Sequence, residues 1–137
     1  MTRRDRDIVR RFHDRYSLPV SDASLAIERE VIGANVGAAG YTTLAQADAL
    51  IPELRLQPGA LLLDIGAGRG WPGVYLARRS GCDVVLTDIP APGLAAALKR
   101  ADEAALAGRA AAVVRAGAHN LPFRPRVFDA AVHTDTL

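Results

Sequence analysis

Along the first 56 residues the apolar positions recur at helical spacing. Ile8, Val9 and Phe12 form one stripe in an otherwise charged stretch, which predicts a helix over 3–16 that breaks at 17–19, where Pro19 falls. Ser21 or Ser24 can cap a second, short helix that runs to about residue 31. Gly33, Gly37 and Gly40 make 32–40 irregular. Thr42 or Thr43 then caps a third helix, in which Leu44, Ala47, Leu50 and Ile51 share a face.

From the turn at Pro58-Gly59 the pattern changes character. Residues 60–65 are a short, nearly continuous apolar run bounded by turn residues, which suits a strand buried on both faces of a parallel sheet. A glycine-rich loop follows, then a helix over about 71–79. Residues 83–88 read as a second buried strand, 93–107 as an alanine-rich helix and 110–116 as a third strand. The loop through Leu121, Pro122 and Phe123 leads to a fourth strand over 127–133. Strands that alternate with helices predict an α/β fold: a Rossmann-like, doubly wound parallel sheet of about four strands. The division expected is a helical cap over 1–56 and a partial nucleotide-binding unit over 57–137.

Composition narrows the class. With 137 residues, 50 % hydrophobic and 23 % charged, the chain has the make-up of one soluble globular domain. A formal net charge of +2 does not call for a nucleic-acid partner. Arg3, Arg4, Arg6, Arg10, Arg11 and Arg15 crowd the first helix, but Asp5, Asp7 and Asp14 interrupt them, as on a solvated helix face; a role over a substrate or partner is the alternative. Cys82 is the single cysteine, which excludes an intrachain disulfide and reads as a small buried side chain. No apolar run is long enough to span a bilayer, and the charged start does not resemble a secretory signal; a cytoplasmic location is the expectation.

The chemistry concentrates in Asp64-Ile65-Gly66-Ala67-Gly68-Arg69-Gly70-Trp71-Pro72-Gly73. Alternate glycines directly after a strand let the backbone turn sharply and approach a ligand, and the helix that follows directs unpaired N–H groups at it. Asp88 ends the next strand, twenty residues after Gly68, where a carboxylate can accept from both hydroxyls of a ribose. Loop and acid together point to a ligand that contains adenosine. Gly68, Gly70 and Gly73 also fit the dinucleotide spacing. That alternative, an NAD(P)-binding oxidoreductase fragment, would put Asp64 inside the strand end, where a charge is costly. The other register puts Asp64 at the strand tip, within reach of an amino group.

Asp64-Ile-Gly-Ala-Gly-Arg-Gly70 resembles the first motif of the class I S-adenosylmethionine-dependent methyltransferases, and Leu86-Thr87-Asp88-Ile89 their acidic second motif. Asn120-Leu-Pro-Phe123, followed by Phe128-Asp129-Ala-Ala-Val132, is similar to a signature of the small-molecule subgroup near the quinone-biosynthesis and cyclopropane-synthase-like enzymes. Gly40-Tyr41-Thr42-Thr43 resembles the segment that reaches back over the cofactor in some members. The resemblance covers roughly residues 33–137.

It implies S-adenosyl-L-methionine as cofactor. Gly66, Gly68 and Gly70 would line its methionine and ribose portion, with Asp64 and Tyr41 at the methionine end. Asp88 would hold the ribose hydroxyls, Ile89 would pack on the adenine, and Ala118 and Leu121 would border it. Gly117 stands where relatives often carry an aspartate that accepts from the adenine amino group; His119 or a backbone carbonyl would have to substitute. The family fold has seven strands, and the fourth is the last one read here. The expectation is therefore a small-molecule methyltransferase that is incomplete as this chain, with a homo-oligomer or a completing chain as partner. A non-catalytic cofactor-binding remnant or regulatory subunit is the alternative. The sequence assigns no catalytic residue; His133 and Asp135 are the only base candidates.

Overall fold

The computed structural model describes residues 1–104 and 111–135. Three helices lead the chain: α1 (Arg3–Ser17), α2 (Asp22–Ile32) and α3 (Leu44–Glu53). Each starts at a hydroxyl cap. Thr2 and Asp5 satisfy one another's backbone N–H groups at α1, Ser21 caps α2, and Thr43 with Gln46 repeats the reciprocal arrangement at α3. Gly33 ends α2 with a φ of 105°, its N–H donating to the Arg29 carbonyl.

The remaining elements alternate: β1 (Leu61–Ile65), α4 (Gly73–Ser80), β2 (Asp83–Asp88), α5 (Ala91–Glu103), β3 (Ala111–Arg115) and β4 (Ala130–Val132). All described strand pairs are parallel, in the order β3-β2-β1-β4. Leu63 lies opposite Val85 on one side and Ala131 on the other. The chain winds outward from β1 to β3 and then returns to the far side of β1. This reversal opens a crevice at the carboxyl ends of β1 and β4, where ligands of such sheets bind. Leu62, Val84 and Leu86 fill the sheet's core with Leu76, Ala77 and Cys82, and α5 buries Gly93, Leu94, Ala97 and Ala101 at helical spacing. Cys82 is fully buried.

The fourth strand is shorter than the expected 127–133. Arg126 turns with a φ of 62°, and the Asp129 carboxylate folds back to accept from Leu61 N–H at 2.8 Å. Residues 126–129 therefore make the entry to the strand, and three residues remain to pair. The second helix of the α/β unit begins at Ala91 rather than 93, because Pro92 suits its first turn. Its expected end at 105–107, and the expected third-strand start at Ala110, lie outside the described residues. No described helix is long and apolar enough to cross a membrane.

Candidate functional site

The loop after β1 is stitched to the end of β2. Gly66 and Ala67 both donate their N–H groups to the Thr87 carbonyl, at 2.8 and 2.9 Å. Gly68 N–H donates to Asp88 Oδ2 at 2.8 Å, and Ile89 N–H to Asp88 Oδ1 at the same distance. Two backbone donors thus fix the half-buried carboxylate, and each oxygen keeps a lone pair for a further donor. Gly68 has a φ of 53°, and a Cβ there would stand 2.9 Å from the Tyr16 hydroxyl. Gly70, with a φ of 99°, passes so close to α5 that a Cβ would meet the Ala97 Cα at 3.3 Å.

Asp64 lies below this loop and is 1 % exposed. Its Oδ2 accepts from Gly73 N–H, the first residue of α4, at 2.9 Å. Burial pushes its pKa up to about 8, against the lowering effect of the Gly73 bond; the charge on Asp88 pushes the same way as burial. Burial thus favours the protonated form, and the bond to Gly73 fastens strand to helix.

Over the loop lies α1, which has no buried residue of its own and packs against α5. Its anchor is Tyr16. A Cβ on Gly93 would stand 2.9 Å from the Tyr16 ring, as one on Gly68 would from its hydroxyl, so the ring occupies a slot between two glycines. The Arg69 guanidinium covers that ring at 5.0 Å from its centroid and donates to the Arg15 carbonyl at 3.1 Å. Burial, and then the charge of Asp88, raise the Tyr16 pKa. Residues 40–42 close the other side. Asp135, after β4, accepts from Thr42 N–H at 3.0 Å and from its hydroxyl at 2.7 Å, while Trp71 Nε1 donates to the Thr42 carbonyl at 2.9 Å. Although burial opposes it, bonding to Thr42 holds the Asp135 carboxyl below its usual range.

Between cover and loop lies a cavity of about 760 Å³, within the range of roughly 300–1,000 Å³ usual for small-molecule sites. Of the residues singled out in the sequence, Gly66, Gly68, Asp88 and Ile89 line it together, and so does Asp135. Gly70 is packed behind the loop and Asp64 beneath it, so neither side faces the cavity. Tyr41 is 81 % exposed and outside the lining. Ala118 is exposed and Leu121 half-buried, both outside the lining, while a Cβ on nearby Gly117 would meet the His119 ring and Ile89. His133 is exposed and also outside the lining. Sequence reasoning gave no site role to Tyr16, Arg69 or Trp71, and held a place over a substrate or partner only as the alternative for the first helix. The available signal was Tyr16, four residues after Phe12 on the same stripe. Among the described residues no group of three or more His, Cys, Asp or Glu side chains could hold a metal ion.

The arrangement can hold a diol at Asp88, a flat apolar group at Ile89 and Pro90, and a polar chain along Gly66 to Gly68, which line the cavity. A sequence model of the methyltransferase domain matches residues 62–137. No curated protein sequence matches the chain. Among solved structures, the chain is similar to an S-adenosylmethionine-dependent methyltransferase from Thiobacillus denitrificans in complex with S-adenosyl-L-homocysteine, at 21 % identity over 87 % of this chain and 45 % of that one, with a TM-score of 0.61. Geranyl diphosphate methyltransferase in complex with GPP and sinefungin matches at 28 % identity over 65 % of this chain and 33 % of that one, with a TM-score of 0.58. YjhP from E. coli matches at 26 % identity over 66 % and 36 %, also with a TM-score of 0.58. The chain thus spans between about a third and a half of the length of these structures.

Proposed function

This chain belongs to the methyltransferase-domain family, that of the class I S-adenosylmethionine-dependent enzymes, and we propose that it binds S-adenosylmethionine across the ends of β1 and β2 and supports methyl transfer to a small molecule. The observation that carries the reading is the union of Asp88, Gly68 and Ile89 on one cavity wall, with the carboxylate fixed by two backbone donors and still able to accept. Asp88 would take the ribose hydroxyls and Ile89 the adenine face. Gly66 and Gly68 would let the methionine portion run close over the backbone. Gly70 and Asp64 act as positioning residues: one brings α5 against the loop and the other ties β1 to α4. Ala118 and Leu121 would border the adenine beyond Ile89. Support for Tyr41 at the methionine end is its neighbours Gly40 and Thr42, which meet Asp135.

When bound, S-adenosylmethionine supplies a methyl group already activated on a sulfonium, so the protein's task is to hold and align. Asp135 is kept ionised by Thr42 and would act there as a fixed negative charge, not as a base with a pKa near neutrality. For a small-molecule acceptor the support is the cavity under α1 and the molecule named with one structural neighbour, geranyl diphosphate. Full catalytic activity belongs to the proposal, since the chain spans a third to a half of its neighbours' length. The open edge of β4 among the described strands supports a further strand or a second chain on that side. Calorimetric titration with S-adenosylhomocysteine and with NAD tests the reading. Binding of the first with no heat from the second is expected; equal or tighter binding of NAD overturns it.

A further inference from the structure

The cavity under α1 is unbalanced in charge. Three arginines line it, Arg11, Arg15 and Arg69, against two carboxylates, Asp88 and Asp135. Both carboxylates are engaged, one by Gly68 and Ile89 N–H groups and the other by Thr42. None of the three arginines forms an ion pair with a side chain among the described residues. Arg69 is held in place by the Tyr16 ring and the Arg15 carbonyl. Burial works against its charge, and Arg15 and Arg100 repel it, with Tyr16 and Glu28 opposing. Like charges gathered at a partly desolvated wall favour an anion beside them.

Next to this corner α1 presents Ile8, Val9 and Phe12 to the same cavity. Ile8 and Phe12 stay 42 % and 40 % exposed, large apolar side chains left partly open although the Phe12 ring meets Tyr16 at 5.9 Å between centroids. S-adenosylmethionine does not resolve the imbalance, because its sulfonium and ammonium outnumber its one carboxylate and add to the positive excess.

We propose that this corner receives the methyl acceptor, and that the acceptor is an amphiphilic anion: an apolar body against Ile8, Val9 and Phe12, carrying a carboxylate or phosphate held by Arg11, Arg15 and Arg69. The proposal rests on the cofactor reading above and deepens it by naming the acceptor's class. Arg11 and Arg15 are one helical turn apart, so one anionic group can meet both. The guanidinium fork suits carboxylate and phosphate oxygens alike.

The test uses the 137-residue chain with hexyl phosphate, hexanol and hexyltrimethylammonium as probes, with and without saturating S-adenosylhomocysteine. Hexyl phosphate is expected to bind about tenfold more tightly than hexanol, with the cationic probe weakest. The double variant Arg11→Gln/Arg15→Gln should reduce the preference for phosphate over hexanol to about twofold and keep S-adenosylhomocysteine affinity within about threefold. Arg10→Gln removes one positive charge from the same helix outside the cavity, half the change of the double variant, and should leave the preference within about twofold of wild type. Three results overturn the proposal: no preference for phosphate, a preference that survives the double variant, or an equal loss in Arg10→Gln. Loss of S-adenosylhomocysteine affinity in the double variant would also overturn it, because the arginines would then serve the cofactor's carboxylate. Failure of the wild type to bind S-adenosylhomocysteine would instead sink the cofactor reading, while the probe preference measured without cofactor is read separately.

Discussion

Asp88 Oδ2 accepts from the backbone N–H of Gly68 at 2.8 Å, across twenty residues of sequence. The bond joins the tip of β2 to the middle of the loop after β1, so the acid that would meet a ribose also sets the loop it faces. Substitution of Asp88 therefore acts twice. Loss of charge-assisted bonds costs about 2–3 kcal/mol, so Asp88→Ala should weaken S-adenosylhomocysteine binding by roughly 30- to 150-fold. Asp88→Asn retains one acceptor for a backbone donor and should fall between. Calorimetry on the folded variants checks the order; an unchanged affinity in Asp88→Ala removes the acid from the site.

The two glycines of the loop separate binding from folding. At Gly68, with a φ of 53°, a branched side chain would press on Tyr16 and enter the cavity. Gly68→Val should abolish S-adenosylhomocysteine binding with a modest shift in melting temperature. At Gly70 the obstacle is Val74 and the α5 backbone at Ala97, so Gly70→Ala should cost about 1–3 kcal/mol of stability. Its folded fraction should still bind. Reversal of this pattern would mean that the loop is only a turn.

Asp64 predicts a pH dependence. Its folded-state pKa is raised by burial to about 8 from an ordinary 3.8, so the protonated form is favoured in the folded protein. The contribution is full below 3.8 and is lost as pH rises towards about 8. Between those limits the stability of wild type relative to Asp64→Asn should fall by up to ~1.4 kcal/mol per pH unit. Denaturant unfolding of both proteins from pH 5 to about 8.5 measures the difference. Parallel profiles would show that Asp64 ionises normally beneath the loop.

The sheet was more legible than the site. β2 falls on the apolar run at 83–88 because a parallel strand buried on both faces needs no alternation to be visible. β4 was overextended because Val127 and Phe128 look like strand residues, whereas the Arg126 turn and the Asp129–Leu61 bond spend them on the approach. In the site, Ile89 followed from the resemblance alone, whereas Gly66, Gly68 and Asp88 could be read from spacing, since loop and strand tip are fixed by the βαβ unit. The depth of Asp64 could not, because one carboxylate reads the same at a strand tip and one layer below it. For Tyr16 the stripe shared with Phe12 gives the helix face but not the slot between Gly68 and Gly93, which is assembled from three distant segments.

That slot predicts how α1 is held. With no buried residue in the helix, Tyr16 and the Arg69 stack carry most of its attachment. Tyr16→Ala should speed tryptic cleavage within α1 by about tenfold, through a more frequently open helix. Tyr16→Phe keeps the ring and should stay within about twofold of wild type. Equal cleavage rates in wild type and Tyr16→Ala would place the attachment elsewhere.

The central claim is that the glycine loop and the tip of β2 form a cofactor site, and amide NMR of the chain titrated with S-adenosylhomocysteine tests it most directly. The account predicts large shifts confined to Gly66, Ala67, Gly68, Asp88, Ile89 and the covering residues around Tyr16. Saturable binding that leaves those amides unmoved and shifts others, or no saturable shift anywhere, would contradict it.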